Sequence, residues 1–474
     1  MTSRARFAVP IHRSVALMSA LVLAWTPLPV AAQAISAAEA AELRAQIAAL
    51  KAQVEALAAR LDGAAPGSAE PLSAPESASS AVASPSPTAP EPETSVAWKG
   101  GPVFSSGSAS FKVKGRIQYD AGVLIAPAGL RDGAKGYSNE LRRLRLGGEG
   151  MLGGGFGYKL ETELSDNQVN LVDTYISYTH GKWLLTLGNQ NGFQSLDELI
   201  GDTSGTVMER AAFTDAFNFE RRLGLSAQYR SGMVLAQAGI FSDSADSLVN
   251  EADGAEGGDE NDSYALDARI VVAPRWGSSQ WHFGASAHWR DFNRLSSVAQ
   301  RYRQRPFFHS VNSRFLAPPL IAATAESHYG VELAGTRGPL HWAGEAHWLR
   351  PSRPGFVDPV FFGGYAEVGY FLTGETRAYR NGIFGSTRPL RPVGGGGLGA
   401  WQVTLRYDYL DLNDKDIIGG RQNGVIAALI WTPIEYLRFN FNYAHLAYRD
   451  AALLAGTRAD YGVDVIGWRV ELDF

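Results

Sequence analysis

Arginine recurs at every second position in "RYRQR", Arg301 to Arg305, with Tyr302 and Gln304 between. In an extended backbone alternate side chains share a face, so Arg301, Arg303 and Arg305 would stand together. Like charges at that spacing repel one another, and the repulsion grows beside a low-dielectric wall. An anion relieves it, and each guanidinium offers that anion a planar fork of N–H donors. The same chemistry recurs earlier in the chain. "FKVKGRIQYDAGV" alternates Lys112, Lys114 and Arg116 against apolar residues, and "LRRLRLGGEG" carries Arg142, Arg143 and Arg145. Alternation sets Arg143 and Arg145 on one face and leaves Arg142 for a rim or a folded loop. Rows of such groups suit an anion that trades its hydration shell from rung to rung and binds weakly enough to leave. The competing reading is neutralisation by Glu149, Glu161, Glu163, Asp173, Glu345 and Glu367, in segments of the same kind.

Other reactive constellations are thin. His282, His288, His341 and His347 fall on the polar faces of two strands, where solvated wall residues are commoner than metal ligands. Ser286 shares a face with His288, but nothing supplies the orienting third group of a nucleophilic site. The chain has no cysteine, which removes thiolate and disulfide chemistry, and its formal net charge of -5 argues against nucleic acid as a partner. The expectation is a protein that is not an enzyme and needs neither cofactor nor metal.

The elements that would carry these cations are strands. In "WHFGASAHWR", Trp281, Phe283, Ala285, Ala287 and Trp289 share one face. "WQVTLRYDYL", "LRFNFNYAH" and the terminal "IGWRVELDF" repeat the pattern, often with an aromatic residue at an end of the apolar face. About sixteen such segments can be counted, starting near 111, 141, 156, 171, 182, 222, 233, 263, 280, 328, 339, 364, 400, 424, 435 and 461. Short turns such as "GGGFG" and "TPIE" alternate with long loops such as 243–262 and 293–327. Apolar-out strands with aromatic ends predict an all-β fold, a transmembrane antiparallel β-barrel of about sixteen strands. The loop 243–262 holds eight carboxylates and no Lys or Arg, an acidic mouth suited to divalent bridges with lipopolysaccharide.

Three zones precede the barrel. Residues 1–34 read as a signal peptide, with Arg4, Arg6 and Arg13 before the apolar "SVALMSALVLAW". Residues 35–63 read as a coiled coil, because Leu43, Ile47, Leu50, Val54, Leu57 and Leu61 alternate spacings of four and three. Residues 64–97, rich in Pro, Ala and Ser, read as a linker, which leaves 98–474 for the barrel. An even strand number puts both barrel ends on the periplasmic side, and the helix with them. A third class, a barrel serving as the anchor of an adhesin, would place the helix outside the cell.

From about Lys112 to Phe474 the chain resembles the phosphate-selective porin O and P family. The resemblance rests on "GRIQYD", "LRRLRLGGEG", "VMERAAFTDAF", "RYRQRPFFH", "GYFLTGETR" and "YLDLND", in order. It implies a trimeric, sixteen-stranded outer-membrane porin for small anions, phosphate or polyphosphate, with Arg116, Arg142, Arg143, Arg301, Arg303 and Arg305 at channel positions. A general porin without phosphate preference is the alternative.

Overall fold

The computed structural model describes residues 94–165, 167–219, 221–245, 263–292, 299–300 and 302–474. The segments read as signal peptide and coiled coil, and most of the linker, lie outside them. Sixteen long strands follow in chain order. The first four are β1 (Ala109–Ile125), β2 (Gly136–Gly153), β3 (Phe156–Glu163) and β4 (Asn170–His180). Next come β5 (Trp183–Asn191), β6 (Arg221–Ser231), β7 (Val234–Phe241) and β8 (Tyr264–Val272). β9 (Ser279–Asp291), β10 (Ala325–Arg337), β11 (Leu340–Ser352) and β12 (Phe361–Phe371) continue the wall. β13 (Ala400–Asp414), β14 (Ile417–Ile434), β15 (Leu437–Arg449) and β16 (Tyr461–Asp473) complete it. Each pairs antiparallel with its chain neighbours, and β16 pairs back onto β1 from Asp464↔Ile125 to Asp473↔Arg116. The barrel is closed and has no free edge. A hairpin, Thr94–Trp98 with Pro102–Ser106, adds to the start of β1 at the end of the stretch read as linker.

Burial follows the sequence alternation with the polarity of a membrane protein. Along β8, Tyr264, Leu266 and Ile270 are exposed outward, while Asp267 and Arg269 are buried on the inner side. Lipid accepts the apolar face, and the lumen must satisfy the charged one. Aromatic clusters collect on the outer wall. Trp281 lies 5.0 Å from Trp342, and Trp431 stacks between Trp401 and Phe439 at 5.6 and 5.2 Å.

Three connections fold into the lumen. Residues 192–220, between β5 and β6, carry two short helices, α1 (Leu196–Leu199) and α2 (Ala212–Ala216). The second, between β9 and β10, is described at 292, 299–300 and 302–324; it includes Tyr302 to Arg305 and lies on the same rim. The third runs from 372 to 399, between β12 and β13. It follows an even-numbered strand, so it rises from the rim where the chain ends lie and where the other connections are short. Simple alternation of short turns and long loops fails here.

The barrel closes without help from the residues before 94. Deleting 35–93 with the signal kept is therefore expected to leave a heat-modifiable barrel with unchanged conductance in planar bilayers. Loss of membrane insertion would make the N-terminal segment part of the folding unit.

Candidate functional site

The loop 192–220 crosses the lumen because wall carboxylates accept its backbone N–H groups. Glu345 of β11 accepts from Ser195 Oγ at 2.9 Å, Leu196 N at 2.9 Å and Asp197 N at 2.7 Å. It also accepts from the Tyr365 hydroxyl at 3.1 Å and contacts His347 Nε2 at 2.9 Å. Asp408 of β13 accepts the Ala212 N–H at 3.0 Å. Helix α2 sits close against the wall at Gly363, where a Cβ would fall 2.3 Å from Phe213 Cβ. One side chain larger than hydrogen at that position would push the loop off its seat.

On the opposite wall the loop is held by arginine. Asp202 forms ion pairs with Arg143 Nε at 2.9 Å, Arg116 Nη1 at 3.2 Å and Arg145 Nη1 at 3.3 Å on that wall, and with Arg210 Nη2 of its own loop at 3.1 Å. Burial pushes the Asp202 carboxyl up, but Arg143, Arg210, Arg145 and Arg116 outweigh it and hold it well below the usual carboxylate range. Arg142 reaches Glu209 of the same loop at 3.5 Å, beside Arg469 of β16.

Strict alternation does not send Arg142 inward; a β-bulge does. Gln118 and Tyr119 of β1 pair with Arg143 and Leu141, so Arg142 is the extra residue of β2. Three arginines within four residues thereby face the folded loop.

The remaining cations of the sequence reading divide. Lys114 pairs with Glu149 at 3.2 Å, and Lys112 makes no carboxylate ion pair among the described residues. Tyr302 and Gln304 are buried while Arg303 and Arg305 are half-buried, as an extended stretch requires. Gln304 bridges to Leu316. Arg301 lies outside the described residues. The compensating carboxylates are also in place: Glu161 and Glu163 meet Arg145 at 3.3 and 2.8 Å, and Asp173 meets Arg221 at 2.6 Å. Glu367 joins Arg406 at 2.7 Å and Arg377 at 3.4 Å.

Sequence reasoning passed over Arg210, Arg377, Arg406 and Arg469. Arg406 and Arg469 were accessible to it, because each alternates with apolar neighbours on a strand. Arg210 and Arg377 sit in loops and carry no periodic signal. Burial lowers the Arg377 guanidinium to about 10, against the pull of Glu367.

Arginines border a series of cavities. One of about 310 Å3 has Arg142, Arg210, Arg221 and Arg305 in its lining. A second, about 30 Å3, touches Arg143, Arg210, Arg377, Arg406 and Arg469. A third of about 30 Å3 touches Arg377 and Arg438. The histidines of the sequence reading lie in the wall, buried among polar partners rather than solvated: His288 contacts Asp267 at 2.5 Å, His282 contacts Glu332 at 2.8 Å, and His341 contacts Gln402 at 2.9 Å. Ser286 donates to the carbonyl of Gln194 at 2.7 Å.

The profile of the family described as Phosphate-selective porin O and P matches residues 111–474. The chain belongs to that family. Its barrel is thus that of an outer-membrane porin, a channel rather than an enzyme. A Caulobacter vibrioides protein described only as uncharacterized is 55% identical over 412 residues, 87% of this chain and 83% of that one. Porin O of Pseudomonas aeruginosa is 32% identical over 97 residues, 20% of this chain and 21% of that one. Among solved structures, the anion-selective porin from Comamonas acidovorans aligns over 77% of this porin and 100% of its own chain, with 14% identity and a TM-score of 0.47. The trimer form of OmpT from Vibrio cholerae aligns over 78% of this chain and 100% of its own, with 10% identity and a TM-score of 0.49.

Proposed function

We propose that this porin passes small anions, phosphate or polyphosphate among them, by passive diffusion along its arginine-bordered cavities. The observation that carries the reading is continuity. Arg210 borders both the first cavity and the second, and Arg377 borders both the second and the third. An anion handed between them exchanges one set of guanidinium donors for the next. Resident carboxylates such as Asp202 and Glu209 keep each site weak by competing for the same donors. That competition also favours the second reading, a general porin without phosphate preference, because most lumen arginines already have an acidic partner.

The same reading has three copies associating in the outer membrane, amid lipid and lipopolysaccharide. The N-terminal segment then stays in the periplasm, on the rim that both barrel ends share.

The test uses the full-length porin in planar bilayers. Replacing Arg301, Arg303 and Arg305 together by glutamine is expected to lower the anion/cation permeability ratio read from reversal potentials in a salt gradient. Block of chloride current by phosphate should weaken with it. Lysine at the three positions should retain charge selectivity and alter the phosphate block, since an ammonium has no fork. An unchanged reversal potential and phosphate block in the glutamine variant would make these arginines solvated loop charges.

A further inference from the structure

The cavity of about 310 Å3 has a mixed lining. Arg142, Arg210, Arg221 and Arg305 share it with the half-buried Phe219, the nearly buried Phe307 and the buried Phe308, Ile426 and Leu446. Its carboxylates already have partners: Glu209 pairs with Arg142 at 3.5 Å and with Arg469. Asp215 takes Arg314 at 3.0 Å and the Arg305 N–H at 2.8 Å, and Asp408 takes the Ala212 N–H. Glu198 pairs with Arg210 at 3.3 Å, and burial pushes its carboxyl up toward the neutral form.

Arg305, by contrast, makes no carboxylate ion pair among the described residues. Its side chain reaches only Asn312, at 3.4 Å. Its Nε is buried and makes no hydrogen bond, and Arg142 Nε, also without a hydrogen bond, has only its 3.5 Å ion pair with Glu209. Burial first, and then the nearby Arg314 guanidinium, lower the Arg305 pKa against the pull of Asp215. Next to it, Phe307 holds a left-handed backbone at φ 51° while its N–H bonds the Arg305 carbonyl at 2.9 Å. A bulky residue is strained in that region, and such strain collects at ligand-holding sites.

We infer that this cavity is a selective site for organic anions with an aromatic or apolar body, such as aryl phosphates and aryl carboxylates, and that it prefers them to inorganic phosphate. The inference rests on the channel reading and deepens it. A cavity of about 310 Å3 falls at the low end of the range for organic ligands, and its mix of aromatic side chains with a few guanidinium donors is the pattern of such sites. Inorganic phosphate would meet the Arg305 guanidinium and leave the half-buried Phe219 ring against water. An aryl anion meets that guanidinium and covers the ring at once.

Phenyl phosphate, inorganic phosphate and the neutral benzyl alcohol are titrated against chloride current through the full-length porin. Phenyl phosphate is expected to block at a concentration about tenfold below inorganic phosphate, with benzyl alcohol inactive, since charge and ring must act together. Phe307→Asn keeps a residue that tolerates the left-handed backbone and removes the ring. It should erase most of the preference for phenyl phosphate and leave block by inorganic phosphate unchanged. Arg305→Gln should weaken both blocks. Phe219→Leu, which keeps an apolar side chain and loses the ring, gives the same reading if Phe307→Asn fails to yield a heat-modifiable barrel. Equal block by the two phosphates in the parent porin, or an unchanged preference in the phenylalanine variant that folds, overturns the proposal. The channel reading stands in that case; it falls instead if the parent porin conducts no anion current.

Discussion

Asp202→Asn is expected to raise the anion/cation permeability ratio several-fold and to make the folded porin respond to phosphate. In the parent protein one carboxylate stands at 2.9 to 3.3 Å from four guanidinium groups. Removing its charge leaves Arg116, Arg143, Arg145 and Arg210 facing an amide. Breaking a buried ion pair from one side costs about 3–5 kcal/mol, because the remaining charges keep their desolvation and lose their partner. A mobile anion then takes the place of the carboxylate. Two measurements report it: reversal potential in a chloride gradient, and thermal unfolding with and without phosphate. Phosphate at 100 times its dissociation constant would return about 2.7 kcal/mol to the variant. The parent, with its internal anion in place, should respond far less. If the variant shows neither change, the arginines have turned to other wall carboxylates and Asp202 is only a packing residue.

The reason to expect release rather than rearrangement is the density of neighbours. Arg145 already meets Glu161 and Glu163, and Arg116 already meets Asp473 at 3.1 Å. Arg143 has no second carboxylate among the described residues: it also donates to the Gln118 amide oxygen at 2.8 Å. It is the group most exposed by the substitution. Freed from Asp202, the loop 192–220 remains tied to the other wall through Glu345 and Asp408, so its seat is loosened on one side only.

The wall of this protein was legible in the sequence because its signal has a period of two and repeats sixteen times. Most strands begin within a few residues of the positions that alternation alone suggests, and β2 and β14 begin earlier. What alternation could not convey lies where the period breaks. The bulge at Arg142 turns inward a residue that strict alternation would send to the lipid side, and no local residue type announces it. The contacts of Arg210 and Arg377 depend on how loops fold across about 350 residues of surrounding wall, a tertiary matter with no periodic trace. The partner of each arginine was equally hidden. Carboxylates could be named as candidate neutralisers from sequence, but the convergence of four arginines on Asp202 requires the closed barrel to bring β1, β2 and the loop together.

The connection 372–399 shows the same limit and carries the second large expectation. Replacing residues 374–399 by Asn-Gly is expected to raise single-channel conductance several-fold and to leave the barrel folded. The strands are ready for a short turn, since Leu372 N donates to Trp401 O at 2.8 Å and Trp401 N to Thr373 Oγ1 at 2.9 Å. Asn-Gly favours the two-residue hairpin geometry that matches strand twist. The native connection instead reaches across to β8 and β9. Arg269 Nη2 donates to the Gly382 carbonyl at 3.0 Å, and the Tyr379 hydroxyl meets His282 Nδ1 at 2.6 Å. Gly382, at φ +75°, lies where a Cβ would come within 2.8 Å of Leu235 on β7. On its other side the connection touches the lumen loop, through Ser386 to Ser204 at 3.1 Å and Arg377 to the Ser204 carbonyl at 3.1 Å. A segment bonded to both the β8–β9 stretch of wall and the lumen loop occupies cross-section that ions would otherwise use. The wall partners it leaves behind can satisfy each other, because Arg269 and Glu332 are already paired at 2.7 Å. Retention of the heat-modifiable form with conductance unchanged would assign the electrical resistance to the two loops of the other rim, 192–220 and 292–324, and reduce 372–399 to lining.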